Sequence, residues 1–448
     1  MANDEIYALS PLDGRYARET QALRDYFSEF ALVRARVRVE IDYLIALSRD
    51  AHLVRPLTDS EVSHLQSLVA TCSLDDARAV KEIERTTRHD VKALENFLRA
   101  RFASTSLADI IEWLHFALTS EDVTLAAQAL ALRDSRDQVI LPALDQVLAR
   151  LTALARQYQF TPMLARTHGQ PAVPTTLGKE FAVFLARLKQ QRALVSAHRF
   201  EAKITGAVGN FNASVAAAPQ VDWLAFSAAF IRAYDLEPNL VTTQLTPFDN
   251  WLRYFDALRL TNSILIDFAQ DIWRYISDDY LKSRAVAGEV GSSTMPQKVN
   301  PIDFENAEGN FGLANALFEH LSAKLPISRL QRDLTDSTVS RNIGVPVSHT
   351  LIAIKSLIKG LDKLILNEEK IKADLENNWA VVSEAIQTIL RREGFPKPYE
   401  TLKELTRTNT HIDHKAISTF IEKLNVPAKL KEELNKITPA NYTGRFEI

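Results

Sequence analysis

The sequence predicts an all-α fold, a bundle of long helices with smaller helical regions before and after it. Three observations carry this. Apolar residues recur at helical spacing over stretches that exceed 25 residues without an interior proline. Glycine is scarce, 13 in 448 residues, so few tight turns are available. Strand signals are weak: no Asn-Gly or Asp-Gly pair lies between alternating runs, since Asp13 and Gly14 fall in an N-terminal loop.

Each element follows from its own pattern. Leu23, Phe27, Phe30, Val33, Val37, Ile41, Leu44 and Leu47 form one stripe and predict a helix through 19–49. A second helix is expected over 107–133. A third, over 138–157, begins near Pro142, a residue tolerated in a first turn. Leu177, Phe181, Phe184, Leu185, Leu188 and Val195 mark a fourth. Residues 250–282, 303–323 and 345–365 supply three more. Helices of this length pack side by side. Beyond Asn367 the helices shorten and break at Gly394 to Pro396, Asn425 to Pro427 and Thr438 to Pro439. The expected division is an N-terminal helical domain over 1–106, a central bundle over 107–366 and a C-terminal helical domain over 367–448.

Composition narrows the function. Hydrophobic residues make up 46% and charged residues 24%, as in an ordinary globular protein. The net charge of −3 provides no global field for nucleic acid or an anionic membrane. Cys72 is the only cysteine, which rules out an intrachain disulfide and a cysteine-based zinc site; it reads as a small apolar filler. The N-terminus is acidic and lacks an apolar signal core, and no uninterrupted apolar run approaches the ~20 residues of a membrane span. The cytoplasm is the expected location.

Polar chemistry is concentrated in five interruptions between the apolar helices. P-L-D-G-R-Y holds Arg15 and Tyr16. E-R-T-T-R-H-D holds Arg88, His89 and Asp90. A-R-T-H-G-Q-P holds Thr167 and His168. The run from Ala287 to Pro301, A-G-E-V-G-S-S-T-M-P-Q-K-V-N-P, holds Ser292, Lys298 and Asn300. Q-R-D-L-T-D-S-T-V-S-R holds Arg332, Ser337 and Arg341. The fourth is the most informative. Its glycines and prolines forbid a continuous helix, and a loop of this length serves as a lid or binding loop. Its Gly-Ser-Ser start can aim successive backbone N–H groups at an anion, and Lys298 adds a positive charge.

G-S-S-T-M-P-Q-K-V-N-P resembles the signature of the fumarase/aspartase superfamily, whose members eliminate fumarate from a succinyl-containing substrate. S-P-L-D-G-R-Y, T-R-H-D-V, F-A-L-T-S-E-D, R-T-H-G-Q-P-A, K-I-T-G-A-V-G-N, R-D-L-T-D-S-T and T-P-A-N-Y narrow the resemblance to the adenylosuccinate lyase family, especially its bacterial type. The matches run in order from Ser10 to Tyr442. Gln297 departs from the pattern, standing where many of that family have histidine.

The resemblance implies an all-helical subunit, a homotetramer with a twenty-helix core, and sites to which three chains contribute. It implies the small-molecule substrates adenylosuccinate and SAICAR (the succinyl form of the aminoimidazole carboxamide ribotide), with no nucleic acid, membrane, metal or cofactor required. The reaction withdraws a proton from the carbon beside a carboxylate and expels a nitrogen, so it needs a base, a clamp for developing charge and an acid. By match to the family, Ser292 is the base and His168 the acid. Glu305 orients that histidine, and His89 supports the acid or holds phosphate. A serine hydroxyl is a poor base unless activated; the N–H groups around it and Lys298 are the candidates for stabilising its alkoxide. A phosphate and two carboxylates call for several cations, which Arg15, Arg332 and Arg341 supply. Tyr16, Arg88, Asp90, Thr119, Ser120, Thr167, Gln244, Asn300, Asn306 and Ser337 complete the expected substrate contacts, with Asp90 read otherwise as the cap of the following helix. A sister lyase, such as argininosuccinate lyase or aspartase, is the nearest rival reading. A helical scaffold that has lost activity is the rival from another class, against which Ser292, His168, Lys298 and Glu305 all stand in place.

Overall fold

A computed structural model describes residues 5–285, 295, 298–406 and 412–448. In chain order its α-helices are α1 (Gln21–Phe27), α2 (Glu29–Arg49), α3 (Asp59–Ala70), α4 (Leu74–Thr87), α5 (Asp90–Phe102), α6 (Ser120–Ser135), α7 (Leu141–Gln157), α8 (Leu177–Ala197), α9 (Asn212–Ala217), α10 (Trp223–Arg232), α11 (Asp249–Ser277), α12 (Ile302–Lys324), α13 (Thr335–Ser340), α14 (Gly344–Leu361), α15 (Glu368–Glu376), α16 (Ser383–Arg392), α17 (Pro398–Thr406), α18 (His414–Lys423) and α19 (Ala428–Asn435). Among the described residues the strands form three two-stranded pairings: antiparallel β1 (Pro162–Thr167) with β2 (Gln170–Thr176), parallel β3 (Glu201–Ala202) with β4 (Glu237–Pro238), and antiparallel β5 (Leu281–Ser283) with β6 (Leu364–Leu366). The chain divides into two compact units. Unit 1 comprises 1–144, 191–263 and 309–355; unit 2 comprises 145–190, 264–308 and 356–448.

In unit 1 the predicted helix over 19–49 is two helices. Ser28 takes an extended conformation, and its hydroxyl accepts from the Ala31 N–H at 3.1 Å, which caps α2 and separates it from α1. Val33, Val37, Ile41, Leu44 and Leu47 are buried, as their spacing requires. Each such side chain contributes about 1.5–3 kcal/mol. Arg36 and Glu40 are buried on the same helix, so its apolar stripe carries two charges into the core.

The helix expected over 107–133 starts only at Ser120. Before it lies a 3₁₀ turn (Ala108–Trp113), followed by His115 and Ala117, both left-handed with φ of 57°. Glu40 accepts from the His115 N–H at 3.2 Å and lies 2.6 Å from His115 Nδ1. The Tyr43 hydroxyl donates to the Phe116 carbonyl at 3.1 Å. These long-range bonds override the local apolar period. From Ser120 the chain stays helical to Gln157 through a π turn (Arg136–Ile140), in which the Leu141 N–H bonds to the Arg136 carbonyl. The turn immediately precedes Pro142, which has no N–H for an ordinary α turn. By length and composition this helical run could cross a membrane. In α6, however, Val123, Leu125, Ala126, Ala127, Ala129, Leu130 and Leu132 are core residues of unit 1.

Unit 2 holds the hairpin β1–β2, which the sequence reading did not expect. Its two turn residues, His168 and Gly169, have φ of 54° and 74°, the sign pattern of a type I′ turn. Histidine tolerates this region better than most residues. Pro171 and Pro174 speak against a strand in sequence, yet a two-stranded ribbon consists only of edges, where proline is allowed. The C-terminal part of the chain has its own apolar cluster, including Trp379, Val382, Ile386, Leu390, Ile417, Ile421 and Leu434. In T-P-A-N-Y the Tyr442 hydroxyl donates to Glu384 at 2.7 Å, and Asn441 accepts from the Thr438 N–H at 2.8 Å.

Candidate active site

Two of the polar interruptions and the start of α6 meet in unit 1 around a cavity of about 250 Å³. The first is the joint between α4 and α5. Arg88 ends α4 in the left-handed region, with φ of 52° and its N–H on the Glu84 carbonyl at 2.7 Å. His89 then caps α5: its Nδ1 accepts from the Lys92 N–H at 3.2 Å. The cap is therefore His89, and Asp90, expected in that role, is the first helical residue. With Nδ1 accepting, the ring proton of neutral His89 resides on Nε2, which lies 3.4 Å from the Ser120 hydroxyl.

The second contribution is the start of α6. Thr119 precedes the helix, its N–H bonded to Asp122 at 2.8 Å, and Ser120 begins it in the cavity wall. The open N–H groups of a helix start favour an anion. Glu121, the next residue, is buried and pairs with Arg332 at 2.8 Å.

The third is the segment around α13. Arg332, Ser337 and Arg341 all line the cavity. Arg332 donates to Gln244 Oε1 at 3.0 Å and lies 3.4 Å from Asp336 as well as against Glu121. Burial raises the carboxyls of Glu121 and Asp336 above their usual range, and Arg332 offsets this only in part. Arg341 and Arg88 are exposed at the cavity. Arg341 approaches Asp90 at 3.7 Å. The result is a polar cleft with two open guanidinium groups, a hydroxyl at Ser337 and a helix start, suited to an anionic ligand.

Arg36 belongs to this wall and was not singled out from sequence. It is buried, bonds Asp90 at 2.9 Å and the Thr124 hydroxyl at 3.0 Å, and its Nε–H finds no acceptor among the described residues. Burial raises the Asp90 carboxyl, but the Arg36 charge, the Val91 N–H and Arg341 outweigh it and hold that carboxyl below its usual range. The sequence holds no signal that separates Arg36 from Arg34, which also lies between Val33 and Val37. Glu121 was legible in T-S-E-D but not chosen.

The remaining candidates lie elsewhere. Arg15 is exposed in the N-terminal turn of unit 1, where the Tyr16 N–H bonds the Pro11 carbonyl; neither residue lines the cavity. In unit 2, Thr167 and His168 are exposed at the hairpin. Lys298 is exposed, with its N–H on the Met295 carbonyl at 3.0 Å, and Asn300 is half-buried. Glu305 accepts from the Trp273 indole at 3.1 Å, and Asn306 donates to the Ser356 hydroxyl at 3.1 Å. Ser292 and Gln297 lie outside the described residues. Among the described residues no group of three or more His, Cys, Asp or Glu side chains is placed to hold a metal ion.

Two family models match the chain: one described as lyase over 14–314, the other as adenylosuccinate lyase C-terminal over 328–443. The adenylosuccinate lyase of Dictyostelium discoideum is 51% identical over 455 residues, covering 98% of this chain and 97% of that one. That of Escherichia coli strain K12 is 47% identical over 448 residues, covering 99% and 98%. Among solved structures, the 3-carboxy-cis,cis-muconate lactonizing enzyme of Pseudomonas putida superposes with a TM-score of 0.76 at 21% identity, covering 95% of this chain and 94% of that one. A fumarate lyase from Mesorhizobium sp. BNC1 gives 0.75 at 18%, covering 95% of both. At such identities these two structures speak for the fold alone.

Proposed function

The chain belongs to the adenylosuccinate lyase family, and on that premise we propose that it eliminates fumarate from adenylosuccinate to give AMP, and from SAICAR to give the aminoimidazole carboxamide ribotide. The observation that carries this reading in the structure is the meeting of Arg88, His89, Ser120, Ser337 and Arg341 at one cavity. A substrate bearing one phosphate and two carboxylates needs such a set of donors and open cations.

In the proposed reaction Ser292 removes the proton from the carbon beside a carboxylate. The electron pair of that C–H bond becomes the new double bond of fumarate, the C–N bond breaks, and His168 delivers a proton to the departing nitrogen. Negative charge builds on a carboxylate that is already an anion, so Lys298 is assigned to stabilise it. Glu305 is assigned to support the histidine. The chemistry calls for no metal or cofactor. Incubating the purified chain with adenylosuccinate and following AMP and fumarate together tests the reading. Formation of both in equal amounts is expected; turnover of argininosuccinate or aspartate instead would overturn it.

The proposal includes a cytoplasmic homotetramer with shared sites. Val183 and Leu194 on α8, Leu260 and Trp273 on α11 and Leu313 on α12 are exposed large apolar side chains on long helices, which supports their burial between copies. Light scattering on the active species is expected to give four times the 50.3 kDa chain mass. A fully active monomer would rule the assembly out.

A further inference from the structure

Behind the cavity, unit 1 buries an ion pair that the proposed chemistry does not use. Lys203 and Asp122 are both fully buried, with Nζ 2.6 Å from Oδ1. The carboxylate takes three more donors: the Thr205 N–H at 3.0 Å on Oδ1, and the Gly206 and Thr119 N–H groups at 3.1 and 2.8 Å on Oδ2. Lys203 also donates to the Gly206 carbonyl at 3.2 Å. Withdrawing two charges from water is a poor route to stability alone, since a packed apolar pair of similar volume often serves as well. An apolar side chain, however, cannot hold three backbone N–H groups from two segments at fixed distances.

Both segments lead to the cavity. Thr119 opens into Ser120, whose hydroxyl faces His89 Nε2. The turn after Lys203 carries the Ala207 carbonyl, which accepts from Gln244 Nε2 at 2.8 Å; Gln244 Oε1 in turn accepts from Arg332. The backbone between His115 and Thr119 is itself unfavourable, with two left-handed non-glycine residues, and such a path persists only where its surroundings hold it. Glu40 and Tyr43 hold one end, and Asp122 holds the other.

We propose that the Asp122–Lys203 pair is a positioning device for substrate binding. It locks the start of α6 to the turn at 205–207 and so sets where Ser120, Gln244 and Arg332 stand when the anionic substrate enters. The inference rests on reading the cavity as the adenylosuccinate site.

Lys203→Met and Lys203→Gln, made in the full chain, test it. In Lys203→Met, KM for adenylosuccinate is expected to rise about tenfold or more while kcat changes by less than about threefold, because the groups displaced bind ground state and transition state alike. Lys203→Gln, which keeps an N–H for Asp122, is expected to fall between that variant and the parent. AMP affinity, measured by calorimetry, should weaken in the same order. A pair that is only structural would lower Tm and leave KM and AMP affinity of the folded protein unchanged. That result overturns the proposal, as does failure of both variants to fold. The parent protein is assayed alongside: no fumarate from adenylosuccinate overturns the site reading and this inference together, whereas normal turnover with unaltered variants overturns this inference alone.

Discussion

Ser292→Ala is expected to lower kcat by about 10²–10⁴ while leaving AMP affinity within about twofold of the parent. The reasoning is chemical. Alanine deletes the group assigned to take the proton, and the carbanion-like transition state then has only water as base. The phosphate and carboxylate contacts proposed for unit 1 involve none of the deleted atoms. Binding by calorimetry and single-turnover fumarate release separate the two effects. A variant with near-normal turnover would remove Ser292 from its role; one that lost AMP affinity in proportion to rate would make it a binding residue instead.

Arg36→Met has the second large effect, and it falls first on stability. The substitution keeps length and apolar packing but removes the charge that faces Asp90 at 2.9 Å. Removing one partner of a buried pair is costly because the other charge remains. Asp90 keeps the Val91 N–H, the more distant Arg341 and some contact with water, so about 2–3 kcal/mol is expected. The pH dependence has a fixed sign. The Asp90 carboxyl is held below its usual range, so its contribution is present above about pH 4, the unfolded value, and is lost as pH falls through the lower folded value. The stability gap between parent and variant, read from urea midpoints, should therefore narrow on acidification. A gap that stays constant to acid pH would show that the Asp90 charge does not carry the effect.

Much of this was visible in sequence where the cause was local. The 3.6-residue spacing of Val33, Val37, Ile41, Leu44 and Leu47 marks a buried face because a helix repeats the same way wherever it lies. The helix expected over 107–133 failed for the opposite reason. Ile110, Ile111 and Leu114 continue the apolar period, but Glu40, some 75 residues away, decides the backbone at His115. The hairpin at His168 was hidden by its prolines, which are unfavourable in a wide sheet and harmless in a two-stranded one. At the cavity, Arg88, His89, Asp90, Ser120, Arg332, Ser337 and Arg341 stand in motifs that keep them next to telltale neighbours, so the sequence singles them out as candidates. Arg36 was not, because only its burial beside Asp90 distinguishes it from the other arginines of α2.

The wide turn over Arg136–Ile140 makes the chain locally tolerant in length. It absorbs one surplus residue, so the helix before it and the helix after it keep the facing they would have without that residue. Shortening the chain by one residue inside the turn, with Pro142 relieved to alanine, preserves the phase of Leu130 on one side and of Leu144 on the other. The same shortening within α7 would swing everything beyond it by about 100° and drive polar side chains inward.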